Sequence, residues 1–154
     1  MKHRRVLLDG SFIEVLLDPC DVRHNVARAA FERLLAEYED GGTLLYSHAG
    51  AVGDFGDPRA ADIVAVCDVA RLDRWLRRDS ERVAHAHHDV GVRRATALVL
   101  MHRWGIDEIA SFDAFFLANG IGTVPVDIGA ARSGQLLEAN GETFAKRSGV
   151  FTDT

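Results

Sequence analysis

The sequence contains few cysteines. Only Cys20 and Cys67 occur in 154 residues, and they do not form a CxxC motif. The apolar stretch that follows the basic start of the chain is short and is interrupted by Asp9, so it does not read as a signal peptide. These features favour a reducing compartment, the cytoplasm. No apolar run approaches the ~20 residues that cross a bilayer, and we therefore expect a soluble protein with no membrane partner.

Several catalytic signatures are also missing from the chain. It has no GxGxxG, GxxxxGK[ST], HExxH or GxSxG motif, so dinucleotide-binding, P-loop, zincin and hydrolase-elbow functions have no support. The net charge is −5, with both signs spread along the sequence. No continuous run of basic residues indicates nucleic-acid binding, so contact with RNA would require a local basic patch.

The apolar residues indicate one compact domain of alternating strands and helices. They make up 47% of the chain, enough for a full core. Hydrophobic period and turn residues predict an α/β fold with a mainly parallel sheet. The predicted strands are 4–8, 43–46, 108–112 and 122–126, the predicted helices are 12–17, 21–39, 71–85 and 95–104, and the segment 60–69 stays ambiguous between helix and strand. Ser47 is predicted to cap a further helix that runs toward Phe55, and Asp21 to cap the helix 21–39.

Two aspartates follow two separate strands of this predicted sheet. Asp9 ends the run VLLDGS, and Asp113 follows the last buried strand in SFDAFF. Because parallel strands deliver their exits to one edge of a sheet, the two carboxylates are expected at the same edge. Each of them also has a purely structural interpretation, since Asp is a good N-cap for a following helix.

At these positions the chain resembles the PIN-domain family, the metal-dependent endoribonucleases that include many toxins of toxin–antitoxin pairs. The resemblance covers about 5–126 and is strongest after Ala95. It implies a three-layer α/β fold and four acids around Mg²⁺, because Mg²⁺ prefers oxygen ligands. Asp9 matches the first acid and Asp113 matches the last.

The two other acids of the family pattern are replaced. In HAGAVGDF the family's Glu falls on Gly53, and Asp54, one residue later, points about 100° away on a helix. In RRATALVLMHRWGI the family's Asp falls on Arg94. Asp54 and Asp89 remain weaker candidates for the catalytic set, with Asp89 read more readily as a turn or cap residue.

Arg94 suggests a hypothesis of its own. On a helix it shares a stripe with Ala97, Leu98 and Met101, which directs it toward the acids. Its guanidinium would then replace the charge of a metal between Asp9 and Asp113. The alternative, a side chain that reaches outward to water, stays open. The nearby run HAHHD is a weak zinc candidate, because zinc needs further ligands in fixed geometry.

Two functions follow from the resemblance. The first is a PIN-like protein with weakened or lost metal-dependent RNA hydrolysis, a pseudoenzyme that keeps a role in binding RNA or a partner. The alternative is an active Mg²⁺-dependent endoribonuclease toxin, with Mg²⁺ on Asp9 and Asp113. The resemblance also implies a homodimer and an antitoxin-like protein partner. Residues 1–126 form the predicted PIN-like domain, and 127–154 form a C-terminal appendage of unknown role with small helices predicted near 135–138 and 142–146.

Overall fold

Strands and helices alternate along the chain in the computed structural model, which describes residues 2–52 and 58–124. Within these ranges the strands are β1 (Arg4–Leu8), β2 (Thr43–His48), β3 (Cys67–Ala70) and β4 (Glu108–Ala110). The helices are α1 (Gly10–Leu17), α2 (His24–Glu39), α3 (Ala49–Val52), α4 (Pro58–Val66), α5 (Arg74–Ala86), α6 (Val92–Trp104) and α7 (Ala114–Ala118). The α/β class that the sequence predicts is confirmed.

The described strands form one parallel sheet in the order β3-β2-β1-β4. The three apolar residues of its inner strand β1, Val6, Leu7 and Leu8, are fully buried, as expected for a strand covered on both faces. Alternate side chains of β1 enter different cores. Val6 and Leu8 pack with α1 and α2 on one face, whereas Leu7 packs with α6 and α7 on the other. The molecule is thus a sheet between two helical layers, which confirms the predicted three-layer arrangement.

Helix α2 begins later than the sequence predicts. The prediction placed its start and N-cap at Asp21, but the helix begins at His24 and its N-cap residue is Arg23. The carboxylate of Asp21 accepts hydrogen bonds from the peptide N–H and the guanidinium of Arg23. The side chain of Asp21 is therefore hydrogen-bonded within a local turn that precedes the helix, because Asp competes well for nearby backbone donors.

Strand β2 is longer than predicted, and the predicted capping role of Ser47 is wrong. Ser47 lies inside β2, is fully buried, and its Oγ donates a hydrogen bond of 3.0 Å to the carbonyl oxygen of Leu8. Ser47 and His48, which were predicted to lie beyond the end of the strand, are therefore part of the sheet. This extension places His48 at the same edge as the exit of β1.

The ambiguous segment and the last strand also differ from their predictions. The segment 60–69 contains both structures, since α4 ends at Val66 and β3 begins at Cys67. Strand β4 ends at Ala110, before Phe112, and Thr123 makes one parallel bridge to Ile109. The remainder of the predicted strand, the appendage 127–154 and its predicted helices lie outside the described residues. None of the helices within 2–52 and 58–124 has the length and apolar character to cross a membrane.

Candidate site at the exits of strands β1 and β4

The sheet reverses its order between β1 and β4. From β1 the chain proceeds through β2 to β3 in one direction, and β4 is then added on the other side of β1. Crevices at such reversal points are where open α/β sheets bind ligands. The exits of the two strands are joined directly, because the peptide N–H of Asp9 donates to the carbonyl oxygen of Ala110 at 3.0 Å.

Two serine hydroxyls orient the Asp9 carboxylate. Its Oδ2 accepts hydrogen bonds from Ser11 Oγ at 2.7 Å and from Ser111 Oγ at 2.8 Å. The same hydroxyls accept from the other strand exit: Ser11 Oγ from the N–H of Phe112, and Ser111 Oγ from the N–H of Asp113, both at 3.0 Å. Asp9 is the N-cap residue of α1 but makes no side-chain cap hydrogen bond. Its carboxylate is therefore held toward β4.

Asp113 is paired with Arg94. Arg94 Nε donates to Oδ2 at 2.8 Å and Nη2 donates to Oδ1 at 3.1 Å, a bidentate ion pair. Oδ1 also accepts from the N–H of Phe115 at 3.1 Å, so Asp113 caps α7 as well. Burial raises the pKa of Asp113, but the hydrogen bonds from Arg94 and Phe115 and the charges of Arg94 and Arg93 outweigh burial and lower the pKa below its ordinary value.

The Arg94 guanidinium is fixed by other contacts too. Its carbon Cζ lies 4.7 Å from the ring centroid of Phe115, a cation–π contact. Its Nη1 donates to the carbonyl oxygen of Asp89 at 3.3 Å. The bidentate bonds go to Asp113 alone, and Asp9 acts on Arg94 only through its charge. The hypothesis that Arg94 supplies a metal's charge stays a prediction.

A cleft of about 440 Å³ opens over these groups. Its charged lining consists of three carboxylates, on Asp9, Glu14 and Asp113, and the guanidiniums of Arg93 and Arg94. Arg93 is 79% exposed and lies 3.7 Å from Glu14, a loose contact that leaves most of its donors in solvent. The cleft thus offers one fixed guanidinium and one that is accessible to an anion.

Of the two weaker acid candidates, only Asp89 lies within the described residues. Asp89 is exposed in the turn before α6, and the group that contacts Arg94 is its backbone carbonyl. Asp54 lies outside the described residues. Gly91, between Asp89 and α6, has φ of 79°, a backbone conformation that glycine adopts without strain. That turn directs the start of α6 into the cleft.

The described residues do not fit a magnesium ion as they stand. Within residues 2–52 and 58–124, no cluster of three or more His, Cys, Asp or Glu side chains is arranged to hold a metal. Both oxygens of Asp113 are engaged by Arg94, and Asp9, which accepts from two serines, is the matched acid that has no ion pair among the described residues. Mg²⁺ would require Arg94 to move away, because a cation and a guanidinium compete for the same oxygens. The histidines of the HAHHD run are likewise in no such cluster.

His48 is a site residue that the sequence did not single out. It ends β2, is 8% exposed, and borders a second cavity of about 150 Å³ that also contacts Asp9 and Arg93. Its Nδ1 is buried without a hydrogen-bond partner among the described residues. Burial lowers the pKa of His48, the charge of Asp9 opposes this effect, and the charge of Arg93 adds to it. No signal in an isolated His predicts such a position.

The His48 environment leads to a prediction about pH. A buried imidazole with a lowered pKa is neutral in the folded chain, whereas the unfolded chain takes up a proton near its ordinary pKa of about 6.5. The unfolded state then binds more protons, so the free energy of unfolding should fall as the pH drops below about 6.5, by at most about 1.4 kcal/mol per pH unit. Urea unfolding at about pH 7.5 and about pH 5 measures the fall.

The matched variant is His48→Gln, which keeps a polar side chain without titrating. Its free energy of unfolding should fall less than that of the wild type over the same interval. The lowered pKa of Asp113 contributes stability that is lost as the pH falls through that carboxyl's ordinary value of 3.8 toward its lowered one, which lies below the pH interval of this test. Equal pH dependence in the two proteins would show that His48 is not buried in its neutral form.

Comparisons with known proteins place this geometry in a fold family. No family model matches the sequence, and no curated protein matches it. Among solved structures, Mycobacterium tuberculosis VapC20, described as a sarcin-ricin loop cleaving toxin, matches with a TM-score of 0.60 and 23% identity, over 75% of this chain and 95% of that one. FitAcB from Neisseria gonorrhoeae matches with a TM-score of 0.50 and 14% identity, over 78% and 96%. At these identities the likeness concerns the backbone, and it shows that the chain has the PIN-domain fold of VapC-type toxins.

Proposed function

We propose that this chain is a toxin-type PIN-domain protein that binds RNA at the β1/β4 cleft and has weakened or lost metal-dependent hydrolysis. The observation that supports the proposal most is the bidentate pair between Arg94 and Asp113. In the resemblance, Arg94 stands where the family has an acid. This ion pair holds the permanently charged guanidinium of Arg94 against the two Asp113 oxygens that a metal would need as ligands.

RNA is the proposed ligand because the cleft keeps an accessible guanidinium. Arg93 lines the cleft and its side chain is exposed to solvent, so it has donors to offer a phosphate. VapC20, which shares the fold, is described as a sarcin-ricin loop cleaving toxin. The resemblance extends the proposal to a homodimer, an antitoxin-like protein partner and a cytoplasmic location.

The alternative is an active Mg²⁺-dependent endoribonuclease. The orientation of Asp9 favours it, because two hydroxyls hold this carboxylate at the strand exit as a metal ligand would need to be held. Asp54 or Asp89 would then supply the missing acid. In this case Arg94 would turn away from Asp113 when the metal binds.

Thermal melting of the purified chain with and without Mg²⁺ or Mn²⁺ separates the two functions. A metal at about 100 times its Kd stabilises a protein by about 2.7 kcal/mol, and we expect no such increase. An RNA cleavage assay in the same buffers should show no metal-dependent product. Cleavage that requires Mg²⁺ and is lost in Asp113→Asn would contradict the proposal and establish the alternative.

A further inference from the structure

Helix α5 has an arginine stripe on its exposed side. Arg74, Arg78 and Arg82 are exposed and recur at a spacing of four residues, which places them on one face of the helix. Arg71, just before the helix, is exposed as well. Trp75 borders the stripe and is 61% exposed. We call these five residues the α5 face.

The arginines of the α5 face have no ion-pair partner among the residues that the structure describes. The acids nearest in sequence are used elsewhere: Asp73 caps α5 by accepting from the N–H of Leu76, and Asp79 pairs with Arg103 of α6. Glu81 is the remaining acid of the helix. A chain with a net charge of −5 therefore presents a local positive surface, the kind of patch that contact with a polyanion requires.

The helix that carries the α5 face is joined at its C-terminal end to the helix that lines the cleft. Helices α5 and α6 pack against each other, and the short turn after Ala86 connects α5 to the start of α6, where Arg93 and Arg94 line the cleft. From Arg74 to Arg82 the helix rises about 12 Å. That length corresponds to about three to four nucleotides of a stacked strand at about 3.4 Å each.

We infer that the α5 face is a binding site for single-stranded RNA outside the cleft, with its arginines on phosphates and Trp75 stacked on a base. The inference rests on the proposed function, since it supplies the RNA that the cleft receives. Exposed aromatic rings beside basic residues bind unpaired bases regardless of sequence.

The composition of the α5 face favours RNA over a membrane or an apolar protein partner. Trp75 is its single large apolar side chain, and the other exposed large apolar residues of the described chain lie on other elements: Val22, Val64 and Val92. An amphipathic membrane helix needs a broad apolar face, whereas here the side of α5 that carries Leu76 is buried against the core.

The test is fluorescence anisotropy of the full chain with a labelled single-stranded RNA of mixed sequence. Trp75→Ala should weaken binding about 5- to 150-fold, because stacking of one base contributes that range. The pair Arg74→Gln and Arg78→Gln should lower the slope of log affinity against log salt by about 1.4, since each phosphate contact on a single strand contributes about 0.7. Arg28→Gln, on an exposed and ion-paired arginine of α2, is the matched control and should leave binding unchanged.

The outcomes distinguish this inference from the proposed function. All of these side chains are exposed, and a thermal melt of each variant verifies folding. If Arg93→Gln weakens RNA binding while Trp75→Ala and the double Gln variant do not, the α5 site is overturned and the cleft proposal stands. If the α5 variants weaken binding but the chain cleaves RNA with Mg²⁺, the α5 site stands and the loss of hydrolysis is overturned. No RNA binding by the wild type, or Trp75-dependent binding to anionic lipid vesicles alone, overturns the inference.

Discussion

Replacing Arg94 with aspartate is expected to give the cleft an affinity for divalent metal that we do not expect of the wild-type chain. The substitution removes the guanidinium that occupies both oxygens of Asp113. It also places a third acid beside Asp9 and Asp113, at the position where the family resemblance has one. Three carboxylates close together repel one another, and a divalent cation relieves that repulsion.

The expected result of Arg94→Asp has two parts. Without metal the variant should be less stable than the wild type, by on the order of 1 kcal/mol, because the partly exposed ion pair is lost and like charges meet. With Mn²⁺ or Mg²⁺ at about 100 times its Kd, it should gain about 2.7 kcal/mol. Thermal melts over a metal titration measure both parts.

Two control variants isolate the cause. Arg94→Gln removes the cation without adding an acid and should gain less affinity for the metal than Arg94→Asp. Arg93→Asp adds an acid one residue earlier, about 100° around the helix, and should not create the same site. The proposed role of Arg94 is wrong if the wild type responds to metal as strongly as Arg94→Asp.

The sequence predicted the fold where local patterns decide it. The apolar run Val6-Leu7-Leu8 indicated a buried strand, and β1 includes it. The limits of the prediction lie where a side chain forms a contact that spacing does not encode. Ser47 bonds to the neighbouring strand and lengthens β2, whereas Asp21 bonds to Arg23 and delays α2. The first is a tertiary hydrogen bond and the second a local one, and the spacing of apolar residues predicts neither of them.

The sequence predicted that Arg94 is directed toward the acids of the candidate site, but it did not predict which hydrogen bonds form there. Helical spacing directed Arg94 toward the acids, and the structure places its guanidinium on Asp113 alone. The sequence could not tell which of the two carboxylates Arg94 would bind. Two serines hold Asp9, and whether they reach it depends on the distance between the strand exits, which the sequence does not give. A serine two residues after Asp9 and another two before Asp113 were the available signal. The catalytic and metal roles of these residues stay predictions.

Replacing Phe12 with alanine is expected to cost about 3–5 kcal/mol of the free energy of unfolding. Phe12 is fully buried and belongs to the core cluster between α1, α2 and the sheet. Its ring stacks on Phe112 at a centroid distance of 5.9 Å. Phe112 lies between Ser111 and Asp113, so the same contact packs α1 against the exit of β4 beneath the site.

Urea denaturation of Phe12→Ala checks this cost, with the slope against urea concentration unchanged if the two-state transition is kept. Phe31→Ala is the matched control, because Phe31 is only partly buried at the edge of the same cluster, and its loss should be smaller. Since whole domains are stable by about 5–15 kcal/mol, Phe12→Ala should remove a large share of the chain's stability. A cost equal to that of Phe31→Ala would mean that Phe12 does not fill the core, and the β1 and β4 exits would then be held together by hydrogen bonds, those of the two serines and the one from Asp9 N–H to the Ala110 carbonyl, rather than by this ring contact.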